Sequence, residues 1–327
     1  MRVRGWLYFL VVLSSIGTET AQAVVDCKVE FEQLANGKEW AEAGAITAGI
    51  HQVDALAGKL ALPPTANIRA SSWLFGTGYS LSTDEILIAS SNHRPEHLSF
   101  CAGHERMHQI THFNLRREPD PAIQNWMREQ SERLNLGKEV EQRKKSKRPI
   151  GDLNRKIESL RKKLRKRDFI ENSLSELISN TSTVLMSGNP RIEIELLADS
   201  FSIDPAAKKE NEKFRDFSHK WDLEAFEPYA LSAPRFSSNA PVGYNDPYRT
   251  FGPAKYHLWT HYLQSVPGDA RRAQILQAVY RASADVMGEE FRNEREHPRT
   301  YRIDAVRMNR RLIQHLDRLL LSAPAPH

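Results

Sequence analysis

A mainly α fold with a small β-sheet (α+β) is the class this sequence predicts, on three observations. Apolar residues recur at helical spacing over most of the chain, from Pro95 to about Leu115, from 122 to 187 and from about Pro253 to Leu321. Strand-like runs are confined to one short region, Trp73-Leu74-Phe75 and Glu85–Ala89, on either side of Gly76-Thr77-Gly78. The balance of 40% hydrophobic and 27% charged residues over 327 positions suits one substantial core with a helical appendage.

Taken in order, the first residues read as a leader. Arg2 and Arg4 precede a short apolar run from Trp6 to Ile16, and Ala21-Gln22-Ala23 offers a small-residue cleavage site. Residues 1–23 are therefore expected to be a signal peptide, and 24–327 a single exported domain, periplasmic or secreted. The run is too short to span a bilayer, and no later run approaches the ~20 apolar residues needed. Cys27 and Cys101 fit an oxidising compartment and are expected to form one disulfide.

Residues 24–62 carry apolar positions at helical spacing, with no strong stop before Pro63-Pro64. Pro95 can open a helix at its first turn, and Pro119 and Pro121 close the helix that follows. Gly188-Asn189-Pro190 punctuates the next long helical stretch, and a new helix is expected near Arg191. Residues 232–253 are rich in Pro, Ser, Asn and Gly and read as a surface loop, whose Tyr244 and Tyr248 could cover a cleft.

The segment His104-Glu105-Arg106-Met107-His108 carries an HExxH pattern on a predicted helix. Residues four apart share a helix face, so both imidazoles can reach one ion at Zn–N distances of about 2.0–2.1 Å. Glu105 then stands beside the open coordination position, where it can take a proton from an activated water. His112 continues the stripe but lies some 12 Å along the axis from His104, too far to share the ion. A third ligand must come from elsewhere. Glu195, in Glu195-Leu196-Leu197-Ala198-Asp199, has the right chemistry, and Asp199 could accept a hydrogen bond from a ligating imidazole.

HExxH followed by Glu195-x-x-Ala198-Asp199 resembles the gluzincin metallopeptidases, in particular the HtpX and CaaX-prenyl-protease (Ste24-like) family. His297-Pro298-Arg299-Thr300-Tyr301-Arg302 is similar to that family's HPxxxR segment. The resemblance implies a zincin-like zinc endopeptidase binding one Zn2+ ion through His104, His108 and Glu195. It implies Asp199 in support, and His297 or Arg302 near the developing oxyanion. This chain departs from the family in lacking its transmembrane helices and in the long interval before Glu195. A soluble, exported relative acting on a peptide or protein substrate is the expectation. The competing expectation is a catalytically silent zincin-like binding module attached to an anionic envelope surface.

The interval before Glu195 contains a basic helical hairpin, inserted at about 138–187. Residues 138–167 hold fourteen Lys/Arg against four Asp/Glu, and Leu153, Ile157, Leu160 and Leu164 form a narrow apolar seam. Such a segment can face an anionic partner. No nucleic-acid fold signature accompanies it, so nucleic acid is not an expected partner.

Overall fold

The computed structural model describes residues 5–9, 26–31, 39–71, 77–89, 94–200, 212–226, 247–265 and 268–321. The expected strand 73–75, the leader's cleavage site, Tyr244 and most of the loop 232–253 lie outside them. So do the side chains of Cys27 and Asp199.

The fold is mainly helical with one small sheet, as expected. Strands β1 (Gly5–Phe9), β2 (Asp26–Phe31), β3 (Thr65–Ser71), β4 (Gly78–Ser80) and β5 (Glu85–Ala89) lie in the order β1-β2-β3-β5-β4. The pairs β2–β3 and β3–β5 are parallel, and the two outer pairs are antiparallel. Helix α1 (Glu39–Ala57) makes the crossover between β2 and β3.

Four strands depart from expectation, β3 and β4 by falling outside the two expected strand-like runs. Residues 26–31, read as the start of a helix, form β2: Cys27, Val29 and Phe31 alternate with Asp26, Lys28 and Glu30, a period of two. Residues 5–9, within the segment read as a leader, pair with β2 as an edge strand, in keeping with the β-propensity of Trp6-Leu7-Tyr8-Phe9.

Ile46 and Ile50 of α1, Ile68 of β3, Ile86 and Ile88 of β5, and Leu98 and Ala102 of helix α2 (Pro95–Leu115) form a core between sheet and helices. The crossing of α1 on α2 is close enough that a Cβ on Gly49 would run into the Ser99 carbonyl. On the same side, fully buried Arg106 gives Nε and Nη2 to both oxygens of Asp54 and further N–H groups to the Pro63 and Thr65 carbonyls and to Gln109. Burial raises the Asp54 pKa, against the pull of Arg106. This ion pair fixes the rotation of α2 about its axis.

Helix α3 (Pro121–Lys145) is capped by the Asp120 side chain, which accepts from the Ala122 N–H at 2.7 Å. Helix α4 (Gly151–Ser187) has 37 residues, about 55 Å, and ends at Gly188 in the left-handed conformation (φ 68°). α3 and α4 pack on each other through Val140, Leu153 and Leu164, with Lys163 and Arg167 reaching Glu129. The inner half of α4 runs through the main helical core. There it meets helix α7 (Asp269–Glu296) among Trp126, Ile170, Leu174 and Phe291. Short α5 (Ile192–Ser200), α6 (Gly252–Leu258) with the π-turn Trp259–Leu263, and α8 (Ala305–Leu321) are the other α-helices of the described residues. Among the described residues no helix is long and apolar enough to cross a membrane.

Candidate metal centre

His104 and His108 project from one face of α2 toward the inner half of α4, as their spacing predicts. The approach is tight: a Cβ on Gly103 would crowd the end of Met186. It brings the Glu176 carboxylate of α4 onto both imidazoles. His104 Nε2 lies 3.2 Å from His108 Nε2 and 3.3 Å from Glu176 Oε2, and His108 Nε2 lies 3.6 Å from Glu176 Oε1. Among the described residues these three side chains form a group able to hold a metal ion.

The geometry fits a small tetrahedral cation. Ligand atoms about 2.0–2.1 Å from zinc at tetrahedral angles stand roughly 3.3 Å from one another, close to the 3.2 and 3.3 Å that separate His104 Nε2 from His108 Nε2 and from Glu176 Oε2. The outer ring nitrogens are engaged elsewhere, as metal-binding histidines require. His104 Nδ1 faces Glu193 Oε1 at 3.2 Å and Thr183 Oγ1 at 3.5 Å, and His108 Nδ1 faces Ser175 Oγ at 2.7 Å. Both Nε2 atoms are thereby left for the ion. Among the described residues no aligned hydrogen-bond donor reaches the buried Glu176 Oε2.

Charge tells the same story. Burial works against an ionised Glu176, yet His108 and His104 hold its pKa well below the carboxylate range. Burial likewise opposes a charged His104, yet Glu193 and Glu176 raise its pKa well above the ordinary imidazole value. The pocket is anionic and draws a proton onto His104, the place a metal cation would take. Glu105, buried beside the pair, has its pKa raised by desolvation and by Glu176 and Glu193, against the pull of His104 and His108.

The structure does not bring Glu195 to the two histidines. Glu195 points outward from α5 and accepts from Asn189 Nδ2 at 2.8 Å, while Glu193 turns inward to His104. Two positions apart on a helix are some 200° apart around it, so only one of the pair can face α2. Ile192 and Leu196 bury the side shared with Glu193. His297 and Arg302 are not brought to the site either. Both are exposed at the end of α7, where the His297 carbonyl accepts from the Thr300 and Tyr301 N–H groups. That segment meets α4 at Lys166, which donates to the Tyr301 carbonyl, about 15 Å along the helix from Glu176. Cys101 is buried on α2.

Arg215, Ser173 and Thr250, which were not expected at the site, border it together with Tyr248 of the expected covering loop. Arg215 Nη1 lies 3.9 Å from Glu193 Oε2, and the Arg215 guanidinium stacks 3.5 Å from the Tyr248 ring centroid. Burial, then the Glu176 charge, pushes the Tyr248 phenol well above its usual range. Ser173 of α4 and Thr250 share a hydrogen bond of 3.1 Å that seats Tyr248's turn against this stretch of α4. His112, set aside as a ligand, faces Glu171 instead, with Nε2 3.2 Å from Oε1.

No family model, curated protein or solved structure matches the chain.

Proposed function

We propose that the chain is a zinc-dependent metalloendopeptidase that hydrolyses peptide bonds in exported or envelope proteins. His104, His108 and Glu176 are its metal ligands and Glu105 its catalytic base. The observation that carries this reading is the meeting of two Nε2 atoms 3.2 Å apart with one carboxylate, Glu176 Oε2 3.3 Å from His104 and Oε1 3.6 Å from His108, and a buried carboxylate one position after the first histidine. Two imidazoles and a carboxylate are the donor set of catalytic zinc sites that keep a fourth position open.

Zinc bound there would polarise a scissile carbonyl and lower the pKa of water. Glu193 and Ser175 orient the two imidazoles. Glu105 accepts a proton from the attacking water and hands it to the leaving amine, a task favoured by the pKa its burial raises. Arg215 and Tyr248 supply donors of the kind that stabilise a developing oxyanion. In this reading the domain is zincin-like and exported, Cys27 and Cys101 are bridged, and the α3–α4 arm is an insertion. Glu176 as third ligand departs from the ExxAD pattern of the family it resembles.

The test measures zinc per mole and hydrolysis of an unfolded protein. Glu105→Gln should keep zinc and lose at least ~100-fold in turnover. Glu176→Gln should lose zinc and Glu195→Gln should keep it; the reverse would overturn the ligand set. Stoichiometric zinc without hydrolysis in the wild type would favour a binding module.

A further inference from the structure

The outer half of the α3–α4 arm concentrates positive charge. Between residues 138 and 167, fourteen cationic against four acidic side chains leave +10, whereas the whole chain has a formal net charge of only +5. The remainder is therefore net negative, and the molecule is electrically polar from arm to body.

The arm also protrudes. Its base is fastened by Arg167 to Glu129 and Glu294 and by Lys166 to the Tyr301 carbonyl. From Arg167 outward to Gly151, α4 runs about 24 Å, with α3 and the connection 146–150 as its company. Arg143 and Lys144 are paired within the arm, to Glu139 and Asp152 and to Glu141. By contrast Lys147 and Arg148 in the connection, and Arg155, Lys156, Arg161 and Lys162 on α4, are exposed and have no ion pair among the described residues. These six serve neither the fold nor the metal pocket, which lies about 37 Å along α4 from Gly151.

We propose that the outer arm is a docking surface for a bilayer rich in anionic phospholipid, holding the body clear of the membrane. The inference is independent of the peptidase reading. A tip with exposed cations on several sides of it meets a flat charged plane better than it cradles a strand. Residues 138–167 contain no aromatic side chain on which nucleic-acid bases could stack. Pro149 and Ile150, between Arg148 and Gly151, give the tip a small apolar point at headgroup depth. Basic segments next to such a surface gain roughly fivefold in partition per cation, lost as salt screens the field.

The experiment sediments the full chain with phosphatidylcholine vesicles, with and without phosphatidylglycerol. Binding is expected only with the anionic lipid and is expected to fall steeply between about 0.1 and 0.5 M salt. Replacing Lys147, Arg148, Arg155 and Lys156 with Gln should weaken it at least ~100-fold, with unchanged circular dichroism. Arg148→Lys with Arg155→Lys should keep it, and Arg161→Gln with Lys162→Gln provides a second, independent loss. Any of four results would overturn the proposal: no sedimentation, equal binding to the neutral vesicles, indifference to the substitutions, or tighter binding to duplex DNA or RNA at equal phosphate.

Discussion

Glu193 sits 3.2 Å from His104 Nδ1, on the ring nitrogen opposite the one that faces Glu176. One imidazole thus bridges two carboxylates from different helices, one placed to share a cation and the other to orient the ring. Loss of such an outer carboxylate commonly costs 10–100-fold in metal affinity. Glu193→Gln is therefore expected to weaken zinc binding by about that factor, read by competition with a chromophoric chelator. Unchanged affinity would remove Glu193 from the site's design.

Arg106 and Asp54 form the pair that sets the rotation of α2. Removing one partner of a buried ion pair costs about 3–5 kcal/mol, because the other charge stays buried alone. Arg106→Met should show a loss of that size in urea unfolding. Replacing both, Arg106→Met with Asp54→Leu, should recover much of it, since no orphan charge then remains.

The Glu171–His112 pair makes stability depend on pH. Burial, with the Asp168 and Glu176 charges, raises Glu171 from 4.5 to about 8, and burial lowers His112 from 6.5 to about 3. The folded pair keeps one proton from about pH 3 to 8. The unfolded pair holds two below pH 4.5, one between 4.5 and 6.5, and none above. Stability from this pair therefore rises from pH 3 to 4.5, stays level to 6.5, and falls by about 2 kcal/mol toward pH 8. Glu171→Gln should abolish the alkaline fall in denaturation curves taken at pH 6 and 8.

Gly49 lets α1 approach α2, and the atom a Cβ would strike is backbone, which cannot turn aside. Gly49→Ala is expected to destabilise by about 1–3 kcal/mol despite alanine's better helix propensity. A thermal melt that rises instead would show the crossing to be looser than described.

How much of this the sequence disclosed depended on the range of the interaction. β5 and α2 were legible to the residue, because Pro95 and the prolines after Leu115 mark helix ends through purely local sterics. β2 was hidden by treating its alternation as part of a longer helical stretch. The histidine pair was legible because four-residue spacing is itself geometry. The carboxylate that joins them, Glu176, was not, since where α4 crosses α2 is decided by packing rather than spacing. A trace did exist: Glu176, Ser179, Asn180 and Thr183 form a polar stripe at helical spacing among Leu174, Leu177 and Ile178, on a helix buried all round. Buried polar side chains need partners, and α2 supplies them for Glu176 and Thr183 through His104 and His108.

Because α4 is one unbroken rod, it acts as a ruler between its tip and Glu176. Inserting seven residues, about two turns, outside residue 165 and matching them in α3 would lengthen the rod by about 10.5 Å while nearly restoring the azimuth of every residue beyond. The height of the pocket above whatever supports the tip can thus be changed in steps without disturbing the pocket itself.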